Sequence, residues 1–284
     1  REEKEVTAEY KKGTAGRFAP GLPAKGDGQL LFMLNGLAKL KDDGQMAIIQ
    51  NGSSLFNGDA GSGPSEIRRY LIENDWLDAI VQLPNNAFYN TGIATYIWIV
   101  MKNKPAIHQG KVQLIDASGC ASSRRKNIGS KNVDISKACR DLIIEAYGAY
   151  VDGTYNGVDE NDNTIIVKSK VMDAIDLGYN KIVVETPQFD DDGNIIMKKK
   201  KPVADTSKRD TENVPLAEDI DAYFEREVIP YNPHAWIDKA KTKVGYEIPF
   251  TRTFYEYKQI EPSDVIAARI EKHEKSLMAK LHDL

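Results

Sequence analysis

Residues 83–92 hold the side chains of this sequence with the most evident chemical use. Two aromatic residues, Phe88 and Tyr89, stand side by side among three asparagines. An aromatic ring can stack on a nucleobase, and an asparagine amide can form hydrogen bonds with a base edge. An alternative stays open, in which both rings fill the space beneath a tight connection between two strands. The segment is therefore a candidate site for binding a base.

Two clusters of basic residues are candidates for contact with nucleic-acid phosphates. One is formed by Arg124, Arg125 and Lys126, with Lys131 close behind, and the other covers residues 198–201. The whole chain has a formal net charge of −4 at pH 7, so its overall electrostatics do not indicate nucleic-acid binding. Any such binding depends on local patches. For residues 198–201 we favour a solvated charge run over a phosphate site.

The remaining polar motifs indicate structure rather than chemistry. The four histidines lack the clustering that a metal site requires. Cys120 and Cys139 form neither a disulfide framework nor a four-ligand zinc set, which fits a reducing cytoplasm. The glycine-rich residues 58–63 lack the Gly-Lys-Ser/Thr ending of a phosphate-binding loop. An apolar run such as residues 93–101 has the length of a strand and falls short of the ~20 residues that a membrane helix needs.

An alternation of helices and strands would position the candidate loop. Leucines at helical spacing predict a helix over residues 29–41, and a second helix begins near Pro64. Short apolar runs predict buried strands over residues 45–50, 77–83, 95–101 and 112–115. This order predicts an α/β fold whose sheet is covered on both faces. The second and third strands are separated by only about a dozen residues, too few for a crossover helix, so we expect them to be antiparallel neighbours.

The rest of the chain shows weaker patterns. We expect a long loop over residues 1–29, the end of the sheet before the polar residues 118–131, and turns in the acidic residues 152–163. The charged residues 198–213 are expected to be mobile. The predicted divisions of the chain are residues 1–118, a mixed α+β extension over residues 119–262 and a C-terminal helix over residues 263–284.

The C-terminal helix carries an apolar stripe in which members are three or four residues apart. The stripe consists of Ile266, Ile270, His273, Leu277, Leu281 and Leu284. Such a stripe can dock on a helix of a partner protein. Packing on the core of the chain itself is the alternative.

Several blocks of the sequence resemble one protein family. Residues 13–118 are similar to the modification subunit of type I restriction–modification systems, which is a DNA-adenine N6-methyltransferase. The blocks that carry this resemblance are residues 16–18, 27–32, 51–56, 58–63, 66–69, 72–77, 88–93 and 97–100. Three later blocks are similar to the C-terminal region of the family, and they are residues 176–185, 209–216 and 245–252.

The resemblance implies a fold and an activity. The fold would be the C-terminal half of a class I methyltransferase sheet, in residues 1–118, followed by the mixed α+β and helical extension. The activity would be methyl transfer from S-adenosylmethionine to adenine N6 in double-stranded DNA. The family's glycine-rich donor loop and its Asn-Pro-Pro-aromatic tetrapeptide do not occur here, since Asn232-Pro233 is followed by His234. We therefore expect both upstream of Arg1, in a full-length protein of which this chain is an inactive piece that lacks catalytic residues and bound donor.

The resemblance also implies site residues and partners. In similar methyltransferases the connection into the final antiparallel hairpin supplies an aromatic ring that packs against the extruded base, and Phe88 matches that position best, with Tyr89 second. Arg124, Arg125 and Lys126 are then expected to contact DNA phosphates. The implied partners are double-stranded DNA and the specificity and restriction subunits of a type I complex, in the cytoplasm and without a membrane.

Two other interpretations stay open at the level of sequence. The chain could be a non-enzymatic DNA- or protein-interaction module derived from such a subunit. It could also belong to a single-chain restriction–modification enzyme with a nuclease fused upstream of the methyltransferase. Both alternatives depend on residues that precede Arg1.

Overall fold

A mixed sheet of six strands lies at the centre of the part of the chain that the structure describes. In this computed structural model the described residues are 3–257 and 261–282, apart from the side chains of residues 276, 277, 279, 281 and 282. In spatial order the strands are β1 (Gln45–Asn51), β3 (Thr95–Met101), β2 (Leu77–Gln82), β4 (Lys111–Asp116), β8 (Thr164–Asp173) and β7 (Gly153–Val158). Strands β2 and β4 run parallel, and the other neighbouring pairs in this order are antiparallel.

The predicted α/β fold is confirmed, with helices on both faces of the sheet. The helices are α1 (Glu3–Tyr10), α2 (Gln29–Lys39), α3 (Ser53–Phe56), α4 (Gly63–Glu73), α5 (Lys137–Ala149), α6 (Ile220–Glu227), α7 (Phe250–Thr253) and α8 (Ser263–His282). Alternate residues of β3 point to opposite faces. Ile97 and Ile99 contact the apolar cluster that contains α5, whereas Val100 lies opposite Met46, which contacts α2.

Strands β2 and β3 are antiparallel neighbours, as predicted from their short connection. The prediction that the sheet ends before residues 118–131 is wrong. The polar stretch forms a separate hairpin of β5 (Ser122–Ile128) and β6 (Lys131–Asp134), after which β8 pairs with the free edge of β4. The sheet continues because β8 and α5 bury their apolar side chains together, with Ile165 and Val167 against Leu142. The division of the chain into domains after residue 118 stays a prediction. The six-stranded sheet contains strands from both sides of that position.

Three segments that were expected to be irregular contain regular structure. Residues 1–29 were predicted to form a loop, but they begin with α1, and Phe18 packs against Leu30 and Ile67. Residues 152–163 contain β7 rather than turns alone. Residues 198–213 were expected to be mobile, yet the segment ends in β12 (Asp210–Pro215), which pairs with β9 (Gly178–Glu185). Partners distant in sequence stabilise these segments, so local composition did not reveal them.

Strand β9 is the centre of a second sheet. Besides β12, its neighbours are β13 (Trp236–Ile237) and β14 (Lys243–Tyr246). Strands β10 (Met197–Lys198) and β11 (Lys201–Pro202) form a separate small hairpin. Ile182 of β9 packs in an apolar cluster with Val214 of β12 and Phe224 of α6. This sheet agrees with the predicted mixed α+β extension.

The contacts divide the chain into two compact units, Arg1–Thr253 and Phe254–Leu284. The second unit contains the predicted C-terminal helix, α8. Within its apolar stripe Ile266 is half-buried, whereas Ile270 is 61% exposed. The side chains of Leu277 and Leu281, and the whole of Leu284, lie outside the described residues. No helix in the described ranges is both long enough and apolar enough to cross a membrane.

Candidate nucleic-acid interface

A groove lies at the edge of the main sheet where β1 and β2 end. Both strands are antiparallel to β3, so they run parallel to each other and their carboxyl ends meet at one edge, the end at which open α/β sheets bind ligands. The groove has a volume of about 450 Å³. Its lining residues are Gln29, Ile49, Gln50, Asn51, Phe88, Tyr89, Asn90, Thr91 and Thr95. The candidate loop of residues 83–92 therefore forms one wall, and the end of β1 forms the other.

The structure gives the two adjacent aromatic residues different surroundings. Phe88 is half-buried and packs against the apolar cluster that contains Leu83 and Leu142. Tyr89 is 57% exposed. Phe88 therefore lines the groove and also fills space beneath the connection between β2 and β3. The second of these roles is the alternative that the sequence left open. Tyr89 presents the more accessible ring for stacking.

The hairpin of β5 and β6 docks on the candidate loop through the backbone. The Ser130 amide donates a hydrogen bond to the Tyr89 carbonyl at 2.8 Å, and the Asn132 amide donates one to the Asn86 carbonyl at 3.2 Å. Gly129 has φ +58°, and a Cβ atom added there would lie 2.4 Å from the Tyr89 oxygen. Only glycine fits this close approach without strain. The sequence did hold a signal for this hairpin, since Gly129-Ser130 is a two-residue turn between Ile128 and Lys131.

Lys131 joins the same hairpin to the loop through its side chain. Its Nζ donates a hydrogen bond to the Ala87 carbonyl at 3.0 Å and lies 5.7 Å from the centre of the Tyr89 ring. A cation at that distance attracts the face of an aromatic ring. The same Nζ lies 3.0 Å from a carboxylate oxygen of Asp134. Lys131 therefore fixes both the backbone and the ring orientation of the loop.

The three predicted phosphate-binding residues lie on β5, and the structure divides them. Arg124 forms an ion pair with Asp134 across the hairpin, and its Nε donates to the Lys126 carbonyl at 3.2 Å. Arg124 and then Lys131 hold the pKa of Asp134 below its ordinary value. Arg125 and Lys126 are exposed and form no ion pair with any residue that the structure describes. Two of the three cations are thus available to a phosphate, and the third stabilises the hairpin.

The opposite wall of the groove is fixed by a network of side-chain hydrogen bonds. The side-chain amide of Gln29, at the start of α2, donates to Asn51 Oδ1 at 2.8 Å. Its oxygen accepts from the backbone N–H of Asn51 at 3.0 Å. The Ser53 hydroxyl donates to Asp27 at 2.7 Å, and the Ser53 amide donates to Asn51 Oδ1 at 2.9 Å. These contacts tie the beginning of α2 to the end of β1. The Asn51 side-chain oxygen therefore accepts from Gln29 and from both the backbone and the hydroxyl of Ser53.

Arg68 is a buried residue within residues 66–69, one of the blocks that carry the family resemblance. Its place in the sequence indicated no particular role for it. It is fully buried in α4, and its guanidinium donates to four carbonyl oxygens. These oxygens belong to Tyr246 at 2.6 Å, Asn57 at 3.0 Å, Ser54 at 3.1 Å and Gly58 at 3.4 Å. Burial lowers the pKa of Arg68 to about 10, so it remains a cation at neutral pH. Arg68 therefore joins the loop after β1 to β14 of the second sheet.

Two further predictions concern residues outside the groove. Residues 198–201 form the tip of the β10–β11 hairpin and do not line the groove, which agrees with a solvated charge run. His108 is buried with its Nδ1 2.8 Å from Asp78, and its ring stacks on Tyr150, which agrees with a structural histidine. Within the described ranges no cluster of three or more histidine, cysteine or acidic side chains could hold a metal ion.

The groove does not fit the implied methyl donor. S-adenosylmethionine carries a ribose diol and an ammonium group, for which a carboxylate is the usual protein partner. The side chains that line the groove are amides, hydroxyls, aromatic rings and one isoleucine, and none of them is acidic. The described groove is instead suited to an uncharged, planar group with hydrogen-bonding edges.

Comparisons with known proteins agree with the resemblance in the sequence. The profile of the N-6 DNA Methylase family matches residues 4–186, more than half of the chain. The MjaIX type I restriction enzyme methylase subunit of Methanocaldococcus jannaschii is 31% identical over 109 residues, which are 38% of this chain and 19% of that protein. The MpnII methylase subunit of Mycoplasma pneumoniae is 32% identical over 123 residues, which are 42% of this chain and 21% of that protein.

The matched segments span about a fifth of the length of these relatives. Among solved structures, the type I restriction–modification methyltransferase subunit of Streptococcus thermophilus aligns with 59% of this chain and 31% of its own chain. That alignment has a TM-score of 0.47 and a sequence identity of 26%.

Proposed function

The chain belongs to the N-6 DNA methylase family, and we propose that it forms the target-base side of a type I restriction–modification DNA-adenine methyltransferase. The reaction would transfer a methyl group from S-adenosylmethionine to adenine N6 in double-stranded DNA. The observation that carries this proposal is the groove at the carboxyl ends of β1 and β2, with the exposed Tyr89 ring in its wall. A base taken out of the DNA stack needs an aromatic face to replace its lost neighbours.

Each wall of the groove has a defined part in this proposal. Tyr89 stacks on the extruded adenine, and Phe88 anchors the loop while its exposed edge lines the groove. Asn51, on the opposite wall at the end of β1, lines the groove where the edge of the base would lie. The chemistry of methyl transfer requires a donor pocket that these residues do not build. We propose that residues outside this sequence supply it, since the glycine-rich donor loop and the Asn-Pro-Pro-aromatic tetrapeptide do not occur here.

The basic hairpin would hold the DNA backbone beside the groove. Arg125 and Lys126 are exposed on the hairpin that docks on the Tyr89 loop, so a phosphate bound there lies close to the extruded base. Arg124 contributes through its ion pair with Asp134 rather than through a direct phosphate contact. Phosphate contacts of this kind position DNA and make its binding sensitive to salt.

The proposal includes the partners of a type I complex, with a specificity subunit that selects the DNA sequence and a restriction subunit. The exposed Ile270 of α8 is a candidate contact for a helix of the specificity subunit. A protein that modifies chromosomal DNA would work in the cytoplasm.

The proposal is tested by methylation assays on the whole gene product, assembled with the subunits encoded beside it. Tyr89→Ala should lower adenine methylation roughly 5- to 150-fold, because stacking on one base is worth about 1–3 kcal/mol. Tyr89→Phe keeps the ring and should stay close to wild type. Tyr231→Ala is the matched control, since Tyr231 is 88% exposed and does not line the groove.

Phe88→Ala separates the two aromatic positions. We expect this variant to lose thermal stability as well as methylation, because Phe88 packs on the core, whereas Tyr89→Ala should lose methylation alone. Wild-type methylation by Tyr89→Ala would remove Tyr89 from the base site. Failure of the wild-type assembly to methylate adenine would refute the proposed activity.

A second candidate is a DNA-binding module of this family that performs no methylation. The exposed Arg125 and Lys126 on the hairpin beside the groove would serve such a module equally well. The same assembly distinguishes the two, because a module would bind DNA in a salt-dependent manner and leave its adenines unmodified.

A further inference from the structure

The β10–β11 hairpin presents four consecutive lysines in an unfavourable arrangement. Residues 197–202, the lysine hairpin, are exposed throughout, and all of residues 198–201 are lysines. Lys198 lies directly opposite Lys201 in the register of the two strands. Like charges directly opposite each other on paired strands destabilise the pair. This pair of lysines therefore opposes the formation of the hairpin that carries it.

The two residues of the turn add backbone strain. Lys199 has φ +50° and Lys200 has φ +61°, so both adopt the left-handed conformation. A two-residue turn with positive φ at both positions has the pattern of a type I′ turn, for which Asn-Gly, Asp-Gly and Gly-Gly are the preferred sequences. The Cβ atom of lysine disfavours this conformation. Lysines on a strand edge can block unwanted strand pairing, but Lys199 and Lys200 lie in the turn, so that role does not explain them.

The positive charge of the lysine hairpin is not neutralised within the described part of the chain. None of its four lysines forms an ion pair with a described residue. The acidic turn at residues 190–192 uses Asp190 to hold its own backbone. The Asp190 Oδ1 atom accepts from the amides of Asp192 at 3.0 Å and Asn194 at 2.8 Å. The lysines are therefore solvated in the free protein and available to an anionic ligand.

Backbone hydrogen bonds hold the lysine hairpin on an ordered support. The Val203 amide donates to the Ile196 carbonyl at 2.9 Å, and the Ile196 amide donates to the Gln188 carbonyl at 2.9 Å. The Gln188 amide donates in turn to the Val203 carbonyl at 2.8 Å. Three short segments of chain therefore lie together beneath the hairpin. Cations on an ordered support lose less freedom when they bind a ligand.

We propose that the lysine hairpin binds the phosphate backbone of double-stranded DNA, as a second contact apart from Arg125 and Lys126. Duplex DNA carries one negative charge per about 1.7 Å of its axis, so a short run of cations meets several phosphates. Bound phosphates would neutralise the repulsion between Lys198 and Lys201. Local strain that the fold does not require is a mark of functional residues, and here it places two more lysines at the tip. The inference rests on the DNA substrate of the proposed function and does not depend on methyl transfer.

A double variant, Lys199→Asn with Lys200→Gly, separates DNA binding from a structural role. Asn-Gly is a preferred sequence for this turn, so the variant should raise or preserve the melting temperature. A contact with phosphates predicts that the same variant binds DNA more weakly although its fold is at least as stable. The matched control is Lys39→Gln with Lys41→Gln. It removes the same charge from exposed residues that precede β1, at the end of that strand remote from the groove.

The experiment uses the whole gene product with its subunits and a duplex that extends well beyond the methylated site. Dissociation constants are measured over a series of salt concentrations. Loss of two phosphate contacts should lower the slope of log Kd against log salt by about 1.8, since each contact accounts for about 0.9. The Kd should then be roughly 30-fold higher at about 0.15 M salt and converge with wild type near about 1 M. A duplex without the site should show the same loss, because phosphate contacts do not read sequence.

The outcomes distinguish this inference from the function on which it rests. A wild-type assembly that binds DNA, together with an unchanged salt slope in the turn variant, overturns the contact and leaves the proposed function standing. Equal losses in the turn variant and the control would indicate an effect of net charge and would also overturn it. A turn variant that no longer assembles with its subunits in gel filtration assigns the hairpin to a protein partner instead of DNA. A wild-type assembly that binds no DNA overturns both.

Discussion

The docking of the β5–β6 hairpin on the Tyr89 loop makes a prediction about Gly129. Replacement by alanine meets two obstacles, a left-handed backbone with φ +58° and a Cβ atom 2.4 Å from the Tyr89 carbonyl oxygen. Gly110 has a similar φ of +70°, but no heavy atom lies within 4 Å of its added Cβ. Gly110→Ala therefore carries the backbone strain alone and is a matched control for Gly129→Ala.

The expected magnitudes follow from these two obstacles. A left-handed alanine costs about 1–2 kcal/mol, and this applies to both variants. Gly129→Ala must also displace the Tyr89 carbonyl, which loses the 2.8 Å hydrogen bond from the Ser130 amide, worth about 0.5–1.5 kcal/mol. Alanine also restricts the unfolded chain, by a similar amount in both variants, so this effect cancels.

Thermal unfolding and adenine methylation together test this reasoning on the whole gene product. A difference of about 1 kcal/mol corresponds to roughly 2–4 °C for a chain of this size, so Gly129→Ala should melt a few degrees below Gly110→Ala. At a temperature at which both variants are folded, Gly129→Ala should methylate more slowly, because the Tyr89 loop has moved. Equal melting temperatures and equal methylation rates would refute the view that the hairpin positions the loop.

Two other predictions concern charged groups that support the groove. Arg68→Met should destabilise the protein by about 3–5 kcal/mol, measured by urea unfolding, because it leaves the buried carbonyls of Tyr246, Asn57 and Ser54 without their donor. The control is Arg69→Met, on the exposed side of α4. Equal losses of stability in the two variants would contradict the role of Arg68. Asp134→Asn should lower stability at pH 7. The folded-state pKa of Asp134 is depressed, so its contribution is present above the ordinary carboxyl pKa of ~4 and is lost as the pH falls further. The stability gap between wild type and variant should therefore shrink below pH 4 in melting curves, and a constant gap would contradict the proposed ion pair.

The sequence predicted the parts of the fold that depend on local pattern. Leucine spacing located α2, and apolar runs located β1 to β4 within a residue or two. The short connection before Thr95 predicted the antiparallel pairing of β2 and β3. These features were accessible because hydrophobic periodicity and loop length are local properties.

The sequence did not predict features that depend on distant partners. Strand β8 joins the sheet after a separate hairpin, and β12 is a polar strand that is ordered by pairing with β9. The same limit applied to the site. Phe88 and Tyr89 were found from residue type, but their division into an anchor and an exposed ring depends on the cluster that α5 completes.

Arg68 explains why distant blocks of the sequence form one functional unit. The loop after β1 begins directly beyond Asn51, and Arg68 fixes that loop by donating to Ser54, Asn57 and Gly58. The same guanidinium donates to the carbonyl of Tyr246, so it connects β14 of the second sheet to this loop. Because a buried cation is costly without its acceptors, we expect a change that removes one of these carbonyls to destabilise the loop that follows Asn51. The residues around Tyr246 therefore stabilise the loop that follows Asn51, although none of them lines the groove.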